Sequence, residues 1–227
     1  KAKVRASWGQ VGSDSASERW LFTSAYVNGS GDQYTSGISG VAAGPNRTPI
    51  VEEKAANENA TWEIATKRDI GFELSFLKNN MFTLVVDFFD ERRDGILLTR
   101  AAVPTYAGIQ SKQQNLGKTH TKGYEVELKF QWSSADGDWY VFAKPMMGFS
   151  DNRIISKDEP MYAPAYKKAQ GYRIGQIFAY HHTGYIQDAD AYMTSPAYGG
   201  KNYGLGSTEY VDFNGDGIID DNDMFAY

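Results

Sequence analysis

Apolar and polar residues alternate through several long stretches of the chain. Residues 123–132 show this most clearly, because their apolar members share one face of an extended strand: Tyr124, Val126, Leu128, Phe130 and Trp132. The opposite face holds the polar members, which are Glu125, Glu127, Lys129 and Gln131. A period of two is the pattern of a β-strand with one apolar side.

The same alternation predicts five strands, near residues 1–9, 62–76, 81–98, 116–132 and 139–156. No stretch predicts a helix of three turns, and a single helical turn is expected around residues 188–193. The sequence therefore predicts an all-β chain.

Short and long connections alternate between the predicted strands. The short turns lie at 77–80 and 133–138, and the predicted loops cover 10–61, 99–115 and 157–227. Strands of a soluble sandwich average ~5–6 residues, whereas strands that cross an outer membrane need ~9–11 residues, with short turns on one side and long loops on the other. The pattern favours a transmembrane barrel, although periodicity alone does not exclude a sandwich.

Composition narrows the function classes. The net charge of −5 leaves no basic footprint for nucleic acid, and zero cysteines exclude a disulfide framework. The three histidines, His120, His181 and His182, have no partners at catalytic or metal-binding spacing in the sequence. Glu125 and Glu127 are explained by strand alternation, so we do not expect an enzyme.

Residues 212–223 place oxygen-bearing side chains at positions 1, 3, 5, 9 and 12 of a twelve-residue window, with Gly217 at position 6. This is the ligand spacing of an EF-hand-type calcium loop. The predicted ligands are the side chains of Asp212, Asn214, Asp216 and Asp223, the backbone carbonyl of Ile218, and Asp220 directly or through water.

Two features of this acidic loop depart from an EF-hand. Asp223 replaces the longer bidentate glutamate at position 12, and only residues 224–227 follow, too few for an exit helix. The alternative interpretation is an acidic turn without a cation, because Asp, Asn and Gly also dominate ordinary turns.

Residues 115–125 fit the pattern N-x-G-x-x-x-x-K-G-x-E. This motif is the most specific of several segments that resemble the SusC/RagA family of TonB-dependent outer-membrane transporters of Bacteroidetes. The others follow in the family's order: Val4–Gly12, Trp62-Glu63, Gly71–Glu73, Val86–Phe89, Gly171–Phe178, Gly184–Gln187 and the acidic loop. Ala179 stands where the family usually has glycine.

The resemblance implies about five strands of a 22-stranded barrel, with short periplasmic turns and long extracellular loops. The plug, the TonB-contacting segment and the signal peptide have no counterpart, so a fragment is expected. The mixed-charge run at 90–94 suits a strand end that extends beyond the bilayer into water.

The function implied is uptake of large nutrients, oligosaccharides or peptides, across the Gram-negative outer membrane. The implied partners are a SusD-like surface lipoprotein that covers the long loops and a TonB-type energy-coupling complex. Calcium would be a structural clip in the acidic loop, and no residue is assigned to substrate. The rival interpretation is a secreted, calcium-dependent β-sandwich that binds glycans.

Overall fold

The computed structural model describes residues 1–14, 19–28, 50–101, 110–199 and 204–227. Parts of the three predicted loops, at 15–18, 29–49, 102–109 and 200–203, lie outside the described residues. The chain divides into two compact units, residues 1–160 and residues 161–227. In the part of the chain that is described, no helix is long and apolar enough to cross a membrane.

Strands dominate the first unit. Its described strands are β1 (Ala2–Ser13), β2 (Ala25–Asn28), β3 (Ile50–Ala55), β4 (Glu63–Phe76), β5 (Phe82–Leu98), β6 (Gln110–Ser111), β7 (Gln114–Ser133), β8 (Tyr140–Ala143) and β9 (Met146–Ser156). The main sheet is antiparallel, with the order β1-β4-β5-β7 and with both β8 and β9 paired to β7. A smaller sheet joins β2, β3 and β6.

The last predicted strand, 139–156, is divided at a proline. Phe130 lies opposite Ala143 and Glu127 lies opposite Met146, so the register does not shift between β8 and β9. The carbonyl of Pro145 accepts a hydrogen bond of 3.1 Å from the Leu128 N–H. The ladder is interrupted because proline has no N–H to return.

Other strands differ from their predicted bounds at the ends. The first strand, predicted to end near residue 9, continues to Ser13 because its end pairs with the beginning of β4. The predicted loop 10–61 therefore includes the end of β1 as well as β2 and β3. These extensions arise because the strand ends pair with a strand that is distant in the sequence. Alternation within one segment does not predict such pairing.

The register aligns the apolar residues of neighbouring strands into one apolar band on a single face of the sheet. Its rows are Phe76, Phe82 and Phe130; Leu74, Leu84 and Leu128; Phe72, Val86, Val126 and Met147; and Ile70, Phe88, Tyr124 and Phe149. From Tyr124 to Trp132 the band covers nine residues of β7, which matches the ~9–11 residues of a membrane-spanning strand.

Aromatic rings form both edges of the apolar band. At the edge near the short turns, ring centroids are 5.6 Å apart in Phe76–Phe82 and 4.9 Å apart in Phe82–Phe130. At the other edge, Tyr124 lies 6.4 Å from Phe88 and 5.8 Å from Phe149. Two aromatic edges around a mostly aliphatic centre are typical of a strand wall that meets lipid.

The apolar band has little protein cover. Phe72 is 46% exposed and Phe88 is 50% exposed, although both side chains are large and apolar. Only four apolar residues are buried among those described: Leu21, Ala65, Ile186 and Ile219. The main sheet is therefore not built around a water-excluding core of the kind that a soluble sandwich needs.

The opposite face of the main sheet is polar and crossed by ion pairs. Arg5 on β1 reaches over Gly71 on β4 to bind Asp87 on β5. A side chain at Gly71 would collide with this pair, since an added Cβ would lie 2.2 Å from Asp87 Oδ1. Glu127 is held by Lys129 at 3.0 Å and Lys144 at 2.9 Å.

The second unit is built from short elements. They are β10 (Phe178–Ala179), β11 (His182–Tyr185), α1 (Ala189–Thr194), β12 (Ala197–Tyr198), β13 (Thr208–Tyr210), β14 (Ile218–Ile219) and β15 (Phe225–Ala226). Helix α1 occupies the predicted helical turn, and Asp188 caps it by accepting a 2.8 Å hydrogen bond from Ala191 N. The predicted loop 157–227 is thus folded in its described parts.

Gly123, within the K-G-x-E motif, is expected to tolerate no side chain. A Cβ there would lie 2.2 Å from the backbone oxygen of Phe149 and 2.5 Å from the ring of Phe89. We predict that Gly123→Ala in the full-length protein lowers the free energy of unfolding in urea by about 1–3 kcal/mol, because neighbouring strands must separate.

Gly148→Ala is the matched control, since its Cβ meets nothing nearer than 3.8 Å. It should change the free energy of unfolding by less than about 0.5 kcal/mol. Equal losses in the two variants would contradict the close approach at Gly123.

Candidate functional site

The acidic loop, residues 212–223, is held in the second unit by pairing within it and just after it. Strand β14 lies inside the loop and pairs in parallel with β12, placing Ile218 opposite Ala197 and Ile219 opposite Tyr198. Strand β15 follows the loop and pairs with β10. The side chain of Ile219 is 2% exposed, so the loop places one apolar side chain in the interior of this unit.

Asp212 organises the first half of the loop. Its Oδ1 accepts hydrogen bonds from the N–H groups of Gly215 at 2.6 Å and Asp216 at 3.2 Å, and its Oδ2 accepts one from Gly217 at 2.7 Å. The φ angles of Gly215 and Gly217 are +77° and +83°. Glycine is suited to both positions because residues with a Cβ rarely adopt this conformation.

Asn214 and Asp216 each accept a hydrogen bond from the backbone N–H two residues later in the chain. Asn214 Oδ1 accepts from Asp216 N at 2.9 Å, and Asp216 Oδ1 accepts from Ile218 N at 2.8 Å. The Asn214 amide also donates to Asp216 Oδ2 at 2.9 Å. The structure therefore brings together the three residues predicted at ligand positions 1, 3 and 5.

Asp223 closes the loop and is fully buried. Its Oδ1 accepts from Phe213 N at 2.8 Å and Asn214 N at 3.3 Å, and its Oδ2 accepts from Asp220 N at 2.8 Å. Asp220 in turn caps the short 3₁₀ helix at 221–223, because its side chain accepts a hydrogen bond of 2.6 Å from Asn222 N. One carboxylate thus ties the beginning of the loop to its end.

The oxygen set fits calcium chemically, because calcium prefers carboxylate, amide and carbonyl oxygens. Asp212 and Asp223 each accept three backbone hydrogen bonds, which leaves acceptor capacity on each carboxylate, with its roughly four lone-pair sites. Among the described residues, no group of three or more His, Cys, Asp or Glu is arranged to hold a metal ion. Calcium binding by the loop stays a prediction.

Side chains distant in the sequence support the acidic loop. Tyr166 donates its hydroxyl to the carbonyl of Asn222 at 2.7 Å, and its ring lies 4.6 Å from that of Phe213. Lys167 donates to Asn222 Oδ1 at 3.2 Å. The sequence did not predict these supports, because no local motif connects residues that lie so far apart in the chain.

Tyr180 joins the same surroundings through its ring and its hydroxyl. Its ring centroid lies 5.7 Å from Tyr198 and 5.6 Å from Tyr210, and its hydroxyl lies 3.4 Å from Asp221 Oδ1. Burial, together with Tyr198 and the negative charge of Asp221, raises the pKa of Tyr180 to about 12. Tyr180 therefore stays a neutral hydrogen-bond donor at physiological pH.

The histidines occupy separate surroundings. His120 on β7 is paired with Asp90 on β5. In the second unit, the His181 ring lies 6.1 Å from Phe225, and the His182 ring lies 5.3 Å from Tyr185. The contacts described for these rings are ring packing and one hydrogen bond to a carboxylate.

Comparison with known proteins places this architecture in a family. A family model described as TonB dependent receptor-like, beta-barrel, matches residues 2–223. The chain belongs to this family. Its members are outer-membrane barrels, so the apolar band is part of a transmembrane wall and the β-sandwich interpretation is wrong.

Curated relatives are similar over parts or all of the chain. TonB-dependent receptor P3 of Formosa agariphila is 30% identical over 59% of this chain and 13% of its own length. TonB-dependent receptor SusC of Bacteroides thetaiotaomicron is 25% identical over 99% of this chain and 22% of its own length. The chain thus spans about a fifth or less of these relatives.

Solved structures agree on the fold. The RagAB peptide importer in its closed-closed state superposes with a TM-score of 0.65 at 17% identity, covering 100% of this chain and 23% of that chain. The open-open state gives a TM-score of 0.66 at 14% identity. Together with SusC, these neighbours confirm the resemblance to SusC/RagA-type TonB-dependent transporters.

The buried carboxylate of Asp223 is expected to hold the acidic loop closed even without a metal. We predict that Asp223→Ala increases protease cleavage within residues 212–223 of the full-length protein in chelator. The reason is that three N–H groups lose their acceptor, at about 1–3 kcal/mol for each group left buried.

Asp221→Ala is the control for this measurement, because Asp221 is exposed and meets Tyr180 at 3.4 Å. Its cleavage rate should stay close to that of the wild type. The assigned role of Asp223 would be refuted by equal cleavage rates in both variants.

Proposed function

We propose that this chain forms part of the barrel wall of a TonB-dependent importer that carries large nutrients, oligosaccharides or peptides, across the outer membrane. The observation that carries the proposal is the main sheet itself, with an apolar band on one face and ion-paired polar residues on the other. In a barrel wall, this places the apolar band against lipid and the polar face toward a water-filled lumen.

The names of the relatives support an import function. SusC is a TonB-dependent receptor, and RagAB is a peptide importer. By this analogy, the importer works with a SusD-like surface lipoprotein and with a TonB-type energy-coupling complex. In this proposal the short turns face the periplasm, and the long loops, residues 157–227 among them, face the outside of the cell.

The polar face suits passage of hydrated, hydrogen-bonding cargo. Lys129, Glu127 and Lys144 alternate in sign across β7 and the segment that joins β8 to β9. Arg5 and Asp87 continue the pattern across β1 and β5. Such a wall offers both donors and acceptors, which oligosaccharides and peptides require, and no single sign of charge dominates it.

An arginine placed on either face of β7 tests whether the apolar band faces lipid. We predict that Leu128→Arg in the full-length protein reduces the assembled, heat-modifiable barrel in outer membranes. Arginine near the middle of a lipid-facing band costs about 2–4 kcal/mol. Uptake of labelled peptides and oligosaccharides by whole cells should fall in proportion to the assembled barrel.

Glu125→Arg is the matched control, because Glu125 lies on the polar face of the same strand. Its barrel should assemble like the wild type. Two results would overturn the proposal: equal assembly of Leu128→Arg and Glu125→Arg, or unchanged uptake of every nutrient class after deletion of the gene.

We also propose that the acidic loop binds calcium, with Asp212, Asn214, Asp216, Ile218, Asp220 and Asp223 as the oxygen donors. The support is the spacing of these residues and the convergence of Asp212, Asn214 and Asp216 in one set of turns. A bound calcium would supply a further cross-link among groups that hydrogen bonds already hold together.

Calcium is expected to protect the loop from proteases. In the purified full-length protein, Asp216→Ala should require about tenfold more calcium for the same protection, because one carboxylate ligand is lost. Asp221→Ala, which removes a carboxylate outside the predicted ligand set, should behave like the wild type. Identical wild-type cleavage in calcium and in chelator would contradict calcium binding.

A further inference from the structure

Positive charge is concentrated on the apolar side of the sheet, directly beyond one edge of the band. The register continues past Ile70, Phe88, Tyr124 and Phe149 into two rows that lie toward the long connections. Their charged members, which we name the basic belt, are Arg68, Arg92, Lys122 and Arg153, with Asp90 and Asp151 among them. His120 lies in the second row, opposite Arg92.

The belt carries an excess of positive charge that its surroundings do not share. Four cationic side chains face two carboxylates, which leaves a net charge of +2 with His120 neutral, in a chain whose total is −5. At the same level on the polar face, Lys67 and Arg93 are balanced by Asp69 and Glu91. The excess therefore belongs to the lipid-facing side alone.

The two edges of the apolar band also differ. At the short-turn edge the band continues past Phe82 and Phe130 to Trp132, which lies opposite Val141, and neither of these last two residues is charged. Among the paired residues of this face, charge next to the band is thus found only at the long-loop edge. This asymmetry is expected if the two edges of the band lie at opposite surfaces of the membrane, because the two surfaces differ in chemical composition.

The carboxylates of the belt make hydrogen bonds and ion pairs within it, and its cations remain exposed. Asp90 is hydrogen-bonded to His120 and lies 3.8 Å from Arg92. Asp151 accepts a hydrogen bond of 3.1 Å from Arg153 Nε. The side chain of Arg92 nevertheless remains 60% exposed. Arg68 and Lys122 are also exposed, and they flank Asp90 from the two neighbouring strands.

The spacing of these cations suits an anion the size of a phosphate group. Adjacent strands lie about 4.8 Å apart, so the backbones at Arg68 and Lys122 are separated by roughly 10 Å. Arg92 lies on the strand between them, one row further along. Three long, flexible side chains can therefore converge on one group, with arginine offering paired N–H donors and lysine a compact charge.

We propose that the basic belt binds the phosphate groups of lipid headgroups in the leaflet around the long-loop end of the barrel. The proposal rests on the proposed function in requiring this sheet to be a wall in the outer membrane. Lipid is favoured over a soluble anion because the belt continues directly from an aromatic row of the lipid-facing band. Interfacial aromatic rings lie at headgroup depth, where basic side chains meet lipid phosphates.

The test uses the full-length protein purified from outer membranes in mild detergent. The belt variant is Arg68→Gln combined with Lys122→Gln, and the matched control is Lys67→Gln combined with Arg93→Gln on the polar face at the same level. Native mass spectrometry measures binding of phosphatidic acid and of diacylglycerol with the same acyl chains, which differ only by the phosphate.

The belt variant is expected to bind phosphatidic acid more weakly, on the order of tenfold, because two cations near the headgroup are lost. The control should bind like the wild type, and diacylglycerol should bind equally weakly to all three proteins. If the double variant does not assemble, Lys122→Gln alone should give a smaller loss in the same direction.

Three results would overturn the proposal: equal phosphatidic acid binding by belt variant and control, equal binding of the two lipids by the wild type, or displacement of the lipid by millimolar inorganic phosphate. Heat-modifiability of the wild type in outer membranes is measured in parallel. A wild type that is absent from the membrane would contradict the proposed function itself, whereas an assembled barrel without lipid selectivity would contradict only the belt.

Discussion

The register of the main sheet is the constraint on which the rest of the first unit depends. Side chains alternate with a period of two, so a slip of one residue between β5 and β7 would move every apolar side chain of one strand to the opposite face. The observed register instead aligns Phe72, Val86 and Val126 across three strands. Lipid offers no hydrogen-bond partners, so paired strands and an apolar outer face are needed together.

Glycine makes this register possible where side chains on the polar face must cross a strand. Gly71 leaves the space through which Arg5 binds Asp87, and Gly123 accepts the ring of Phe89. Both glycines lie in segments that carry the family resemblance. The motif K-G-x-E therefore has a physical explanation in the close approach of β5, β7 and β9, independent of any role in catalysis or ligand binding.

The second unit has few buried apolar residues among those described, so it depends on hydrogen bonds to hold a long connection in one conformation. Its acidic loop uses carboxylates as acceptors for backbone N–H groups, with Asp212 at the beginning and the buried Asp223 at the end. Tyr166 and Lys167 then fasten the loop from outside. Asp223 thus has a structural role of its own, whether or not its predicted place as a calcium ligand is correct.

The sequence by itself determined the strand faces, the short turns and the acidic loop, because each depends on residues close together in the chain. Alternation along residues 123–132 was enough to assign the faces of β7, and the spacing of Asp212, Asn214 and Asp216 was enough to place them in one turn. Only the tertiary structure decided how far β1 extends, how Pro145 divides β8 from β9, and that Tyr166 and Lys167 support the acidic loop. It also decided that Arg68, Arg92 and Lys122 gather beyond the apolar band. These features arise from pairing between distant segments, and the period of a single strand carries no information about which residue of another strand will lie opposite.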